Sequence, residues 1–226
     1  TDGTIIAAKW EICMDNAERF DSSRLLRNFD AAYSLDQESV DLNAYLFAEK
    51  GFLANMATIL NKGREAEDFL MQAERLKSRI QSQFFDEESQ WFYDTSLDGE
   101  KFIKIKGCEG WTSLWARAAS KCQAEALRNQ MMDTAQFFTR MPFPTLCPHH
   151  PAFEPESGYW RGPVWLDQAF FAVKGLGNYG FCDDGKIAVD KLINNAKGLI
   201  QKGPSIRENY NPVNGQGLEA ENFSWS

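Results

Sequence analysis

The stretch VDLNAYLFAEKGFLANMATILNKGREAEDFLMQAERLKSRIQSQFF, residues 40–85, decides the fold. Its first half is apolar on most sides, with Leu42, Tyr45, Leu46, Phe47, Phe52, Leu53, Met56, Ile59 and Leu60. So much apolar surface predicts a helix buried nearly all round. Asn61-Lys62-Gly63 breaks it. The second half sets Ala66, Phe69, Leu70, Ala73, Leu76 and Ile80 at three-to-four spacing with charges between them. That spacing predicts a helix with one apolar face and a wet outside.

The same pairing recurs further on. GWTSLWARAAS (110–120) reads as a short apolar helix, followed by the mixed QAEALRNQMMDTAQFF. GPVWLDQAFFAVKGL (162–176) is apolar nearly all round, with Pro163 suited to the first helical position. Behind it, DGKIAVDKLINNAKGLI carries one stripe, Val189, Leu192, Ile193, Ala196 and Ile200. A buried helix paired with a one-faced helix, repeated, implies an inner and an outer layer of antiparallel hairpins and an all-α fold. Links within each pair are short, whereas those to the next inner helix are long (about 83–110, 139–161 and 203–226), and long ordered loops tend to carry function. They should gather at one mouth. FFDEESQWFYDTS has the alternating aromatics of small β pieces, and no domain linker interrupts the chain.

Composition narrows the chemistry. The 226 residues are 43% hydrophobic and 25% charged, a globular balance. A net charge of −8 argues against nucleic acid or an anionic membrane as the main partner. No apolar run approaches the ~20 residues of a membrane span. The start TDGTIIAAKWE lacks signal-peptide features, which leaves the compartment open. The five cysteines, Cys13, Cys108, Cys122, Cys147 and Cys182, form no CxxC pair, so the expectation is reduced, mostly buried thiols and no metal site or cofactor. The two histidines, His149 and His150, sit together in a proline-rich loop and read as loop packing.

Acid–base work therefore falls to carboxylates placed beside aromatics, where burial holds one protonated while another stays ionised. Asp15 is one candidate; Asp15-x-x-Glu18 equally has the spacing of a helix capping box. Glu208 is another, either a solvated loop charge or a group fixed by the Asn-Tyr-Asn-Pro that follows it. GYWRGPVW (158–165) reads either as a packed corner or as an aromatic platform for a sugar ring. CEGWTSLW (108–115) offers the same mixture in Glu109, Trp111 and Trp115. The tryptophans near inner-helix starts lean toward an uncharged, hydroxyl-rich ligand such as a carbohydrate.

WEICMDNAERF, SVDLNAYLFAEK, MPFPTL, GYWRGPVWLDQAFF and ENYNPVNGQG with NFSWS together resemble glycoside hydrolase family 63, the α-glucosidases related to processing α-glucosidase I and its bacterial relatives. The resemblance is collinear over nearly the whole chain. It implies an (α/α)6 barrel and inverting hydrolysis of an α-glucosidic bond in an oligosaccharide, with Asp15 as general acid and Glu208 as general base. Such a pair stands about 6.5–9.5 Å apart, leaving room for water. It also implies that Trp10, Trp160, Arg161 and Trp165 line the sugar pocket.

Two departures matter. Ile12-Cys13 replaces the family's Ser-Gly ahead of the acid, removing a residue with easy access to positive φ. Three helix pairs stand against the six of a closed ring. Residues 1–226 are thus expected to be the C-terminal part of one catalytic domain, truncated at both ends and partnered by the missing N-terminal part of the same barrel. Other readings are a hydrolase for a small mannosyl or glucosyl conjugate such as a glyceryl glycoside, and a non-catalytic helical sugar-binding scaffold.

Overall fold

A computed structural model describes residues 3–10, 13–29, 32–200 and 206–222. Ile12, Phe223 and Trp225 lie outside the described residues. The chain order is α1 (Gly3–Trp10), β1 (Leu25–Asn28), β2 (Ala32–Leu35), β3 (Gln37–Glu38), α2 (Val40–Ile59), α3 (Gly63–Arg79), β4 (Phe85–Asp86), β5 (Trp91–Phe92), β6 (Asp94–Ser96), β7 (Phe102–Ile103), α4 (Glu109–Trp115), α5 (Lys121–Met131), α6 (Leu166–Asn178), α7 (Cys182–Asn195), β8 (Arg207–Tyr210) and β9 (Gly217–Glu221). A 3-10 turn covers Glu18–Phe20, and a π-turn, Ile80–Phe84, extends α3.

The molecule is mostly helical, and the helices pair as α2/α3, α4/α5 and α6/α7. Each inner helix ends in the same Schellman turn, in which a residue of positive φ lets two amides return to the last-turn carbonyls. Asn61 (φ 57°), Arg117 (φ 63°) and Gly180 (φ 86°) hold that position. The returning amides are Lys62 to Ala57, Ala118 to Ser113 and Phe181 to Leu176, with the left-handed residue itself bonding Thr58, Leu114 or Gly177. Ser120 then starts α5 with a full capping box, its hydroxyl taking the Gln123 amide while the Gln123 side chain takes the Ser120 amide. Reversing the chain so tightly at one end leaves all the long connections at the other.

Those connections carry the strands, so the all-α expectation is corrected to mostly helical. All the described strand pairs are antiparallel. β1 pairs β2 from Leu25↔Leu35 to Asn28↔Ala32. β6 lies between β3 and β7, with Gln37↔Ser96 and Asp94↔Ile103. β4 pairs β5 at Phe85↔Phe92. β8 pairs β9, so the irregular loop expected after 203 is a hairpin, and Tyr210 also bridges to Val164 ahead of α6.

The core lies around α4, whose residues Glu109–Leu114 are all buried. Trp111 meets Trp91, Phe137 and Phe143, and Trp91 stacks on Phe137 at 4.9 Å and 12°. α4 packs against both α2 and α6. Gly175 permits the contact with α6, because a Cβ there would stand 2.8 Å from that of Leu114.

Several expectations change. Pro163 precedes α6 instead of opening it; Trp165 is its extended N-cap residue and the helix begins at Leu166. α7 stops at Asn195, short of Ile200. α2 is not buried all round: Leu42, Leu46, Phe52, Met56, Ile59 and Leu60 are exposed on one side, and Leu70 of α3 is exposed too. Positions 42, 46, 53, 56 and 60 share one helical stripe, so this side is a largely apolar face interrupted by the exposed Glu49. Cys108 and Cys147 are buried, but Cys13, Cys122 and Cys182 are exposed, which corrects the reading of mostly buried thiols.

Candidate active site

Asp15 sits in the loop between α1 and the 3-10 turn. Cys13 opens that loop with φ 60°, so the left-handed backbone that a glycine would adopt freely is kept by a residue for which it is strained. The Cys13 amide donates to the Trp10 carbonyl at 3.0 Å. No capping box forms. The turn that follows is capped at Ala17 without a side-chain bond, and Glu18 pairs with Arg161 at 2.8 Å. Asp15 is left partly buried. Burial pushes its carboxyl above the ordinary value, its own amide opposes this, and the charge of Glu208 pushes the same way as burial.

Glu208 comes from β8. Opposite it β9 carries one residue more than β8, with Arg207↔Glu221 and Asn209↔Leu218 in register on either side. The bulge contains Glu219 in a left-handed conformation, φ 53°. Bulges of this kind redirect side chains and amides beside functional sites. Here the Ala220 amide turns to Glu208 Oε2 at 3.3 Å, while the Tyr159 hydroxyl donates to Oε1 at 3.0 Å. The hairpin turn is fixed by Asn211, whose Oδ1 accepts from the amides of Val213 and Asn214. Gly215 (φ 74°) lies on the end of α7 where a Cβ would meet the Asn195 carbonyl oxygen at 2.0 Å. Glu208 is buried.

The 158–165 corner joins the two carboxylates. Trp160 stacks on Trp165 at 4.0 Å and 9°, and both are buried. They therefore present little exposed ring face and act as a backing wall, with Trp165 Nε1 donating to the Tyr159 carbonyl at 3.1 Å. Arg161 is a clamp on the acid loop: Nε donates to the Asn16 carbonyl at 2.7 Å, Nη1 pairs Glu18 at 2.8 Å and Nη2 pairs Asp21 at 2.8 Å. Lys9 also meets Asp21, at 3.0 Å. Trp10 closes α1 and is 60% exposed.

Glu109 and Trp111 stand elsewhere than a sugar platform would. Trp111 is wholly enclosed in the aromatic core, its Nε1 bonded to the Gln168 carbonyl at 3.1 Å. Glu109 belongs to a second, buried acidic cluster centred on Arg19. That guanidinium takes Asp41 at 2.7 Å and Asp94 at 2.9 Å. Burial disfavours the Arg19 charge, yet Asp41, Asp94 and Glu109 together hold it protonated. Burial raises Asp94 to about 6 against the pull of Arg19, and raises Glu109 to about 8 for the same reason. Burial thus favours the neutral form of Glu109, which accepts the Gly107 amide at 2.9 Å.

Sequence reading passed over Tyr159 and Asn16. Both were in view, in GYW and in MDN, but neither ionises near neutral pH, and composition gave no reason to single them out. Their positions follow from contacts across more than 140 residues of chain, Asn16 Nδ2 donating to the Gly158 carbonyl and its Oδ1 accepting the Trp160 amide, both at 3.0 Å.

Helical hairpins in layers, with Asp15 and Glu208 on long connections, are the arrangement of a helical glycoside hydrolase domain. The chain belongs to the mannosylglycerate hydrolase MGH1-like glycoside hydrolase domain family, the match running over residues 1–226, and with it to glycoside hydrolase family 63. It is 28% identical over 188 residues to the mannosylglycerate hydrolase of Thermus thermophilus, covering 83% of this chain and 43% of that protein. It is 23% identical over 207 residues to the Rubrobacter radiotolerans mannosylglycerate hydrolase, covering 88% of this chain and 45% of that protein. A crystal structure of a Thermus thermophilus mannosylglycerate hydrolase with glucose superposes with a TM-score of 0.68 at 28% identity, over 83% of this chain and 45% of that one. Neutral trehalase Nth1 of Saccharomyces cerevisiae shares the fold, with a TM-score of 0.75 at 17% identity over 93% of this chain and 38% of that one. The chain thus spans less than half the length of these relatives.

Proposed function

We propose that this chain carries the acid and the base of an inverting hydrolase for a small mannosyl or glucosyl conjugate of the glyceryl-glycoside kind. The observation that carries this reading is the placement of Asp15 where burial and the charge of Glu208 both raise its carboxyl. Asp15, protonated, donates to the leaving glycosidic oxygen as the C–O bond breaks. Glu208, ionised, takes a proton from a water that attacks the anomeric carbon from the opposite face, and the configuration inverts. The naming of the relatives as mannosylglycerate hydrolases favours a small conjugate over the oligosaccharide α-glucosidic bond that the family resemblance alone suggested.

The exposed apolar side of α2 supports a second element of the proposal. Further helical hairpins of the same protein would cover Leu42, Leu46, Met56 and Leu60 and complete an (α/α)6 ring, since an apolar face of this extent is seldom left in water. Residues 1–226 would then be one part of a single catalytic domain.

The test is hydrolysis by the full-length protein of mannosylglycerate, glucosylglycerate and short α-gluco-oligosaccharides, with NMR of the first-formed anomer. Turnover of the conjugates with inversion is expected. Asp15→Asn and Glu208→Gln should each lower kcat by at least about 10³-fold while retaining ligand binding. A preference for oligosaccharides would restore the α-glucosidase reading. Binding without turnover would favour a sugar-binding scaffold.

A further inference from the structure

Asn16 follows the proposed acid directly, and its side chain bonds the backbone on both sides of Tyr159. Nδ2 donates to the Gly158 carbonyl and Oδ1 accepts the Trp160 amide, each at 3.0 Å. Tyr159 between them holds φ 59°, a conformation that L side chains seldom adopt unless the surroundings impose it. Two further bonds fix the same turn: Arg161 Nε to the Asn16 carbonyl at 2.7 Å and Trp165 Nε1 to the Tyr159 carbonyl at 3.1 Å. The phenol edge rests on Trp165 at 5.1 Å and on Trp160 at 6.3 Å. From this fixed base its hydroxyl donates to Glu208 Oε1 at 3.0 Å. Burial and that bond raise the phenol above its ordinary value, and the charges of Glu208 and Asp15 both add to the effect, so the hydroxyl lies within the field of both carboxylates and stays a donor.

We infer that Tyr159, locked by Asn16, is a positioning residue that sets the base Glu208 against the acid Asp15. The inference rests on the reading of these two carboxylates as the catalytic pair. Its physical content is a short rigid path, Asp15–Asn16 to the Tyr159 backbone to the Tyr159 hydroxyl to Glu208, made of hydrogen bonds and one aromatic ring. An inverting site needs its acid and base held at a fixed separation with room for a water, and this path would hold it.

Tyr159→Phe in the full-length protein removes the hydroxyl and keeps the ring contacts. The expected result is a fall in kcat of about tenfold or more with KM changed less, the loss of one bond to a charged group. The acid limb of the pH–rate profile should move to higher pH, because a donor to the carboxylate anion is gone. A purely structural role would leave that limb in place. Asn16→Ala should lower kcat in the same sense, and the double variant should be no slower than the slower single one, since both act through one path. Wild-type kcat and pH profile in Tyr159→Phe would overturn the inference, as would losses that multiply in the double variant. An inactive wild-type protein would instead refute the proposed function itself, so the two failures are distinguishable.

Discussion

Two acidic regions lie in this molecule, and they differ in what surrounds them. Asp41, Asp94 and Glu109 ring a buried arginine, with β6 and the starts of α2 and α4 supplying the parts. Asp15 lies on a strained loop and Glu208 on a bulged hairpin, near enough for the Glu208 charge to raise the Asp15 carboxyl, and Arg161, which grips the same loop, is turned away onto Glu18 and Asp21. The first arrangement neutralises its carboxylates by a cation and by protonation; it welds the loop after Asp15 to the helical layers. In the second, the Tyr159 hydroxyl donates to Glu208, and the Glu208 charge raises the partly buried Asp15 carboxyl. The position of the arginine separates a structural acidic cluster from the one proposed to be reactive.

Experiments on the full-length protein can break that contrast. The largest difference should come from exchanging readouts: Asp15→Asn should abolish turnover and leave the melting temperature close to wild type, whereas Arg19→Met should do the reverse. Removing Arg19 strands buried Asp41 and Asp94, which should cost about 3–5 kcal/mol in denaturant unfolding. A silent Arg19→Met would erase the distinction between the two clusters.

Glu109→Gln sharpens it with a pH dependence. The folded-state value near 8 lies above the ordinary 4.5, so between these pH values the folded protein binds a proton that the unfolded chain does not. Stability from this group is complete below pH 4.5 and is lost as pH rises through 8. The glutamine variant keeps an acceptor for the Gly107 amide and has no proton to lose. It should match wild type below about pH 4.5 and become progressively the more stable of the two as pH rises toward 8. Parallel pH curves for the two proteins would show that Glu109 is compensated after all.

The smallest effect concerns the acid loop. Cys13→Gly relieves a left-handed residue at the price of a freer unfolded chain, for a net gain of roughly 0.5–1 kcal/mol in unfolding free energy. A loss of stability would mean that the thiol side chain makes a contact worth more than the strain.

The helical layering was legible because it is a matter of spacing. Val40–Ile59 and Gly63–Arg79 show their faces in the order of their residues, and the breaks at Asn61 and Gly180 are residue types that tolerate positive φ. Arg117 in the same turn was not legible, because nothing in its chemistry announces that conformation. The two carboxylates proposed as acid and base are singled out in the sequence by their motif companions. The roles of Trp111, Trp160, Trp165 and Arg161 were not, since an aromatic or an arginine near a helix start looks alike whether it faces a ligand or a neighbour.

The sequence by itself determined the alternation of inner and outer helices and turned the proposed chemistry toward carboxylates. The tertiary structure alone decided which acids are compensated, which tryptophans are walls, and that Asn16 and Tyr159 link the Asp15 loop to Glu208 by hydrogen bonds. Periodicity is set by neighbours three or four residues away, and a chain records it locally. Burial and the direction of a hydrogen bond are set by partners such as Asn16 and Trp160, 144 residues apart, and these exist only once the chain has closed upon itself.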